Sequence, residues 1–498
     1  MSSSLTPGPS TFCPQPKRKY VLYAAILASA LGFIDGSVIA IATPAIRASF
    51  DASLIAAQWV SNAYMLTLSA FILLGGAIGD RFGLKRVFSA GILMFVAMSL
   101  LCALAWSVES LIIFRALQGT GAALMVPGSL ALISKAYPRA ERGRAIGTWA
   151  AAAAVTTAAG PVIGGLALAY GTTETWRAIF AINLPLGGAA LWMLLTKVPA
   201  DAASKRQRLD LPGAALAVIF LGSLAWALSA AEGNAESSVA GPSQLIWLIV
   251  SALALAGFIY TERRVAAPIM PLSIFTNRTF VAANLATFCL YAAMSAVLFY
   301  LPMTLIGGWG LSEAIVGTTF LPMTVAIAAL SGPAGRLADR FGASVLIAGG
   351  ALLVAVSFLL LAAGLDLNRY WSHVYPCIVL MAVGMGLVVA PLSAAVMGAL
   401  DDRDSGTASG VNNAVSRVAG LMAVAAMGPL VAWRFAVSDA TGAFGLPLEG
   451  TLAAMRVHQS ANNQAMAAVA LSAATLAGLA VLFAWFGVRR PAAEQPQE

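Results

Sequence analysis

Apolar runs of about 20 residues recur along the whole of this 498-residue chain, separated by short segments that hold most of its charge. About 20 apolar residues is the length an α-helix needs to cross the hydrocarbon of a bilayer. In lipid every backbone N–H and C=O must be satisfied internally, so helices or closed barrels are the available spanning structures. Fourteen such runs are found, the first over Tyr20–Ala42 and the last over Ala465–Val488. They consume roughly 280 to 350 residues at 20 to 25 each and leave little for a soluble domain. The fold class this predicts is an all-α polytopic membrane protein with 14 transmembrane helices. Composition agrees: 60% of residues are hydrophobic and 10% charged, against roughly 25% charged in soluble domains. Disorder is excluded on the same ground, because disordered chains are poor in apolar residues. Lys17, Arg18 and Lys19 ahead of the first run, with Ala28-Ser29-Ala30 inside it, look like a signal peptide. Apolar sequence nevertheless continues to Pro44, so an uncleaved first helix is expected.

The net charge of +8 raises a nucleic-acid reading, which the placement of the charges removes. Basic residues fall in short clusters between runs, and no nucleic-acid module accompanies them. Lys17, Arg18, Lys19, Arg81, Lys85, Arg86, Lys135, Arg139, Arg142, Arg144, Lys197, Lys205, Arg206 and Arg208 all fall on one side in the first half of the chain. Arg47 and Arg177 fall on the other. Arg263, Arg264, Arg278, Arg336, Arg340, Arg403, Arg489 and Arg490 continue the bias, against Arg369, Arg434 and Arg456. By the positive-inside rule both termini are expected in the cytoplasm, which requires an even number of spans. Cys13, Cys102, Cys289 and Cys377 lack paired spacing for disulfides, zinc or redox work and are expected to be small apolar side chains.

The loop after the second run reads Gly76-Ala-Ile-Gly-Asp80-Arg81-Phe82-Gly83, and that after the tenth reads Gly335-Arg-Leu-Ala-Asp339-Arg340-Phe341-Gly342. The match implies a duplicated bundle, as parallel repeats do in transporters. Correspondence of the tenth span with the second leaves two surplus helices, Leu211–Ala230 and Leu245–Tyr260. The expected organisation is a tail over 1–19, a six-helix bundle over 20–199, a linker with two inserted helices over 200–271, a second six-helix bundle over 272–488 and a tail over 489–498.

This layout and the loop motif resemble the major facilitator superfamily, specifically its fourteen-helix drug:proton antiporter branch, the EmrB/QacA type. Gly76, Asp80, Arg81, Gly83, Lys85 and Arg86 match the loop signature, with Leu84 where a basic residue is common. Asp80 is expected to accept hydrogen bonds near a helix end while the basic residues hold the loop at an anionic surface. Leu111, Arg115, Gln118, Gly119, Gly121, Ala122 and Ala123 resemble the arginine motif of the fourth helix. Gly147 and Gly160-Pro161-Val162-Ile163-Gly164-Gly165 resemble the motif that marks exporters, with Thr156 where a glycine is usual. Glycines let helices approach, and a proline frees a carbonyl. Asp35, Ser37, Val38, Ile39, Ala42 and Pro44 are similar to the first-helix motif of the branch, with Ala40 in place of its asparagine. Trp176-Arg177, Asn183-Leu184-Pro185-Leu186-Gly187 and, in the thirteenth run, Gly406, Ser409, Gly410, Asn413 and Gly420 are further matches; Ser416-Arg417 stands where an arginine-glutamine pair is common.

The resemblance implies proton-coupled efflux by alternating access, with no cofactor, from the inner membrane of a bacterium. The expected partners are protons, membrane lipids and a small lipophilic substrate, with a single chain as the working unit. Asp35 is the carboxylate placed deep inside a span, where desolvation disfavours the charged form of a carboxyl. With Arg115, an arginine expected to face the bundle interior, it is the expected coupling site. One proton moved through 100 mV is worth about 2.3 kcal/mol, which points to lipophilic mono-cations or neutral amphiphiles. Gln58, Asn62, Tyr64, Asn284, Tyr291, Met294, Met323, Asn412 and Asn413 are candidates for a pocket near the midplane. An enzyme is not expected: His373 and His458 fall in separate outward loops and no catalytic or metal spacing occurs. A phosphate-binding loop for a nucleotide-driven pump is missing. The other readings are an exporter dedicated to one antibiotic or metabolite, and a proton-linked uptake carrier, which the glycine and proline run of the fifth span disfavours.

Overall fold

Each apolar run forms a helix, because only a hydrogen-bonded backbone is tolerated in lipid. The computed structural model describes residues 12–201, 209–229, 242–265, 268–400, 405–438 and 440–488. Lys205, Arg206, Arg208, Arg403, Arg489 and Arg490, used above for orientation, lie outside them. Among the described residues 14 helices are long and apolar enough to span a membrane. They are α1 (Gln15–Phe50), α2 (Leu54–Phe82), α3 (Leu84–Ala103), α4 (Val108–Ala136), α5 (Glu141–Tyr170), α6 (Thr173–Lys197) and α7 (Leu211–Ser229). Then follow α8 (Ser243–Arg264), α9 (Arg278–Gly308), α10 (Glu313–Phe341), α11 (Ala343–Leu367), α12 (Tyr370–Gly398), α13 (Thr407–Ala436) and α14 (Leu452–Gly487).

Helix ends are where hydropathy misleads. The last helix starts at Leu452 rather than near Ala465, because its polar residues find partners in the segment before it. Both ring nitrogens of His458 lie 2.9 Å from carbonyl oxygens, those of Thr441 and Leu446, and Asn462 Oδ1 accepts from Gly445 N–H at 2.8 Å. His458 is therefore buried in a helix, not placed in a loop as expected. The two copies of the loop motif share a backbone conformation. Gly83 and Gly342 both have positive φ, 95° and 96°, where a side chain would be strained. In the first copy Asp80 does not cap a helix. It faces Lys135 at 3.8 Å, an exposed pair, while Asp201 accepts from the N–H groups of Leu84 and Lys85 at 2.8 and 2.9 Å. A carboxylate at a helix start is favourable, and here it comes from the polar stretch after α6. Arg86, Asp339 and Arg340 are exposed, and Arg81 and Arg340 each lie over the phenylalanine that follows, Phe82 and Phe341.

The first six helices enclose a core that includes Leu31, Phe88 and Phe95, and the last six one that includes Phe280, Tyr300 and Phe358. Helices α2 and α4 touch backbone to backbone: a Cβ on Gly75 would stand 2.1 Å from Ala123 O. The inserted pair α7 and α8 pack on each other, and α7 seals the seam between the halves by lying on both α2 and α13. There Leu221 and Ala225 meet Leu421, Met422 and Ala425, with Trp59 and Leu66 packed against them.

The bundle is closed at one end and open at the other. At the closed end a Cβ on Gly165 of α5 would lie 2.4 Å from Glu313 O, and one on Gly317 of α10 would lie 2.7 Å from Pro161 O. Gln58 Nε2 donates to Tyr300 Oη at 3.1 Å, and Tyr300 Oη donates to Val424 O at 2.7 Å. Arg47, buried rather than displayed at the surface, donates to Phe444 O and so joins α1 to the segment before α14. At the other end, which carries Asp80, a cavity of about 550 Å³ penetrates between the halves.

Candidate functional site

Two features lie one behind the other along α1 and α4. The deeper is a charge pair. Arg115 Nη1 donates to Asp35 Oδ2 at 2.5 Å and to Gln118 Oε1 at 2.7 Å, while its Nε donates to Val60 O at 3.0 Å. Gln118 Nε2 donates to Asp35 Oδ1 at 3.0 Å and to Ser99 Oγ at 2.7 Å, and Asn183 Nδ2 reaches the same hydroxyl at 3.2 Å. Asp35, Ser99, Arg115, Gln118 and Asn183 are all buried, so side chains from four helices, with the Val60 carbonyl of a fifth, form one polar network inside a greasy bundle. Burying two charges carries a large desolvation penalty, which a short pair with further hydrogen bonds offsets. Removing one partner strands the other and costs about 3–5 kcal/mol. The spacing of Arg115 and Gln118 puts them on one face of α4, and Gly119 holds that face against α2. A Cβ there would meet Thr67 Oγ1 at 2.2 Å and Tyr64 O at 2.3 Å.

The shallower feature is the cavity. Ser29, Gly32 and Phe33 of α1, Tyr64 of α2, Met125 of α4 and Trp149 of α5 form its first-half wall; Ser409, Gly410, Asn413 and Arg417 of α13 form the facing wall. Trp149 Nε1 donates to Ser29 Oγ at 2.9 Å and ties α5 to α1. Tyr64 is the partition between the two features, since it lines the cavity and the Arg115 guanidinium sits 4.3 Å from its ring centroid. Exchange with alanine would remove a cation–π contact of about 0.5–2 kcal/mol and open a void. Tyr64→Ala is therefore expected to lower stability by about 3 kcal/mol and Tyr64→Phe by less than about 1 kcal/mol. Thermal unfolding of the purified protein in detergent checks both.

The structure divides the sequence candidates. Asp35, Arg115 and Gln118 come together. Gly160 and Gly164 press α5 onto α1, where Cβ atoms would meet Ser37 Oγ at 2.8 Å and Val38 Cγ1 at 2.6 Å. Pro161 and Gly165 instead face α10. Gly76 borders the cavity, while Gly147 has open space around its Cα. Of the pocket candidates, Tyr64 and Asn413 line the cavity. The others sit elsewhere. Gln58 belongs to the closed end, and Asn62 is buried with neither side-chain polar atom hydrogen-bonded among the described residues. Asn284 donates to Phe280 O of its own helix and Asn412 accepts from Thr287 Oγ1, joining α13 to α9. Tyr291, Met294 and Met323 pack against the second-half core. Phe33, Trp149 and Arg417 were missed as lining residues. For Arg417 a signal existed, a charge inside an apolar run, the same signal that singled out Arg115.

The sequence matches the family model described as "Major Facilitator Superfamily" over residues 25–424 and 283–498. Among curated proteins it is similar to "Multidrug resistance protein Stp" of Mycobacterium tuberculosis, 31% identical over 415 residues that cover 82% of this chain and 76% of the relative. "Tetracenomycin C resistance and export protein" of Streptomyces glaucescens is 31% identical over 421 residues, 82% of this chain and 76% of the relative. "Methylenomycin A resistance protein" of Streptomyces coelicolor is 32% identical over 410 residues, 81% and 84% respectively. Two solved structures share the fold. A bacterial homologue of the human lysosomal transporter Spinster superposes with a TM-score of 0.68 at 17% identity, over 96% of this chain and 100% of that one. The xylose transporter XylE of Escherichia coli gives a TM-score of 0.61 at 16% identity, over 96% and 98%.

Proposed function

This chain belongs to the major facilitator superfamily, and we propose that it exports lipophilic small molecules in exchange for protons, by alternating access across a bacterial inner membrane with both termini in the cytoplasm. The observation that carries the reading is the buried Asp35–Arg115 pair set one aromatic ring away from a cavity between the halves. On this reading the cavity opens to the cytoplasm, since the basic loops flank its mouth. The relatives named for resistance and export support the outward direction.

The residues divide the work as follows. Tyr64, Trp149 and Phe33 give the ligand apolar and aromatic surface. Asp35 takes a proton when the outer end is open, which removes the Coulomb attraction to Arg115; the guanidinium keeps Val60 O and Gln118 Oε1 as acceptors. Repacking of Arg115 moves Tyr64, whose ring it supports, and this links proton occupancy to the shape of the cavity. Gly165 and Gly317 allow α5 and α10 to close the outer end behind the ligand. Arg340 of the second-half loop copy, with Arg81 and Arg86 of the first, would meet anionic lipid at the cytoplasmic face, while Asp80 faces Lys135.

A substrate panel on proteoliposomes with an imposed pH gradient tests this. Accumulation that requires the gradient and collapses with a protonophore, ATP being absent, is the expected result. Accumulation in the direction of uptake, or none for any lipophilic member of the panel, would overturn it.

A further inference from the structure

The charges around the cavity are unequal in their commitments. Asp80 stands at the mouth opposite Lys135, 3.8 Å away. Asp210, also at the mouth, is buried; its Oδ1 accepts from Gly213 N–H at 2.8 Å, and its Oδ2 has no hydrogen-bond partner among the described residues. Arg417 is different: it lies ten residues into α13 from Thr407, about 15 Å along the helix axis, and among the described residues it makes no hydrogen bond or ion pair while lining the cavity. Arg115, deeper in the bundle, is matched by Asp35, so the contrast is between a structural cation and an uncommitted one. An unpaired guanidinium in a membrane interior is costly unless it faces water or finds a partner.

We propose that Arg417 makes this cavity a site for organic acids: flat, largely apolar compounds that present a carboxylate or phenolate oxygen to the guanidinium. The proposal rests on the export reading and names its substrate class. A guanidinium binds a carboxylate through two parallel hydrogen bonds and also stacks on flat rings. Asn413, one turn earlier on the same face of α13, adds a polar edge; its Nδ2 donates to Ser409 O, which leaves the side-chain oxygen to accept from a ligand hydroxyl. Phe33, Tyr64 and Trp149 supply the aromatic remainder, and 550 Å³ suits a drug-sized molecule. Beside Arg417 a lipophilic cation would meet a charge of the wrong sign, since the carboxylates Asp80 and Asp210 stand at the mouth. Exchange of one acid anion for one proton also moves two elementary charges inward, so the membrane potential itself drives export of the acid, whereas exchange of a monocation is electrically silent.

Three matched probes test it: anthracene-9-carboxylate, its methyl ester, and the trimethylammonium-methyl analogue. Equilibrium fluorescence binding to the purified full-length protein in detergent is expected to favour the acid over the ester by about tenfold or more, with the cation weakest. In Arg417→Gln the acid-to-ester ratio falls to about one, and Arg417→Lys restores part of it. A ratio near one in the wild type, a ratio unchanged in Arg417→Gln, or no binding of any probe overturns the proposal. In vesicles with a potential but no pH gradient, movement of the acid and not of the cation is the expected result; equal response of both overturns it. Gradient-driven export of the cation or ester alone would leave the export reading standing and this proposal fallen. Acid preference in binding with no driven transport of any probe would do the reverse.

Discussion

Asp35→Asn is expected to abolish transport driven by a pH gradient while leaving the protein folded. Asparagine has the shape of aspartate and its one side-chain oxygen still accepts from Arg115, while its Nδ2 faces Gln118 where an acceptor stood, so the network keeps its outline at the loss of one hydrogen bond. What it loses is the group that alternates between charged and neutral. Coupled export in proteoliposomes should fall by roughly 100-fold or more, equivalent to about 2.8 kcal/mol, while ligand binding in detergent persists. Asp35→Ala is a harsher change, because it strands Arg115 among Phe180, Tyr64 and the carbonyl of Val60; a stability loss of about 3–5 kcal/mol is expected. Gradient-driven export that survives in the asparagine variant would show that the proton is carried elsewhere.

The second large effect is conformational. Gly165→Val is expected to cut transport tenfold or more without harming the fold, because the clash it creates, with Glu313 O, lies between the two halves at the end that closes. Overpacking of this kind costs about 1–3 kcal/mol, and that cost falls on one conformation alone, so the population shifts toward the other. Labelling of a cysteine placed at Ser409, inside the cavity, from the side of the basic loops should slow accordingly. Gly160→Val provides the contrast. Its Cβ would meet Ser37 and Ile34 within the first half, a clash present in every conformation, so lower yield of folded protein is expected instead. Equal labelling of wild type and Gly165→Val would break the link between this contact and the opening of the cavity.

Some of this was legible in the sequence because the solvent dictates it. Lipid forces helices of a known length, and a charge inside such a helix is conspicuous, which is how Asp35 and Arg115 were found. The loop copies at Gly83 and Gly342 were legible because a repeat preserves its turn. Facing direction was not. Gln58 and Asn62, one turn apart on α2, look alike as polar residues in an apolar run, yet one bonds Tyr300 across the halves and the other is buried with no hydrogen-bond partner among the described residues. Hydropathy carries no record of which neighbour a side chain will meet. The start of α14 was obscured for the same reason: His458, Asn462 and Asn463 lower the local hydropathy, and only the folded segment before them shows that they are satisfied. Asn463, for instance, accepts from Trp309 Nε1 at 2.7 Å and donates toward Leu365 O at 3.2 Å.

The hairpin of α7 and α8 breaks the equivalence of the two seams. In a duplicated bundle the α2–α13 contact and the α5–α10 contact are related copies, each a seam between the halves. One seam is covered by α7. The other still has a cleft of about 820 Å³ walled by Val155, Ala159 and Ile163 of α5 with Val325 and Ala329 of α10, apolar almost throughout. The two seams thereby meet the lipid differently, one behind a helical hairpin and one bare, and the molecule has a front and a back in the plane of the membrane, although its repeats supply no such polarity.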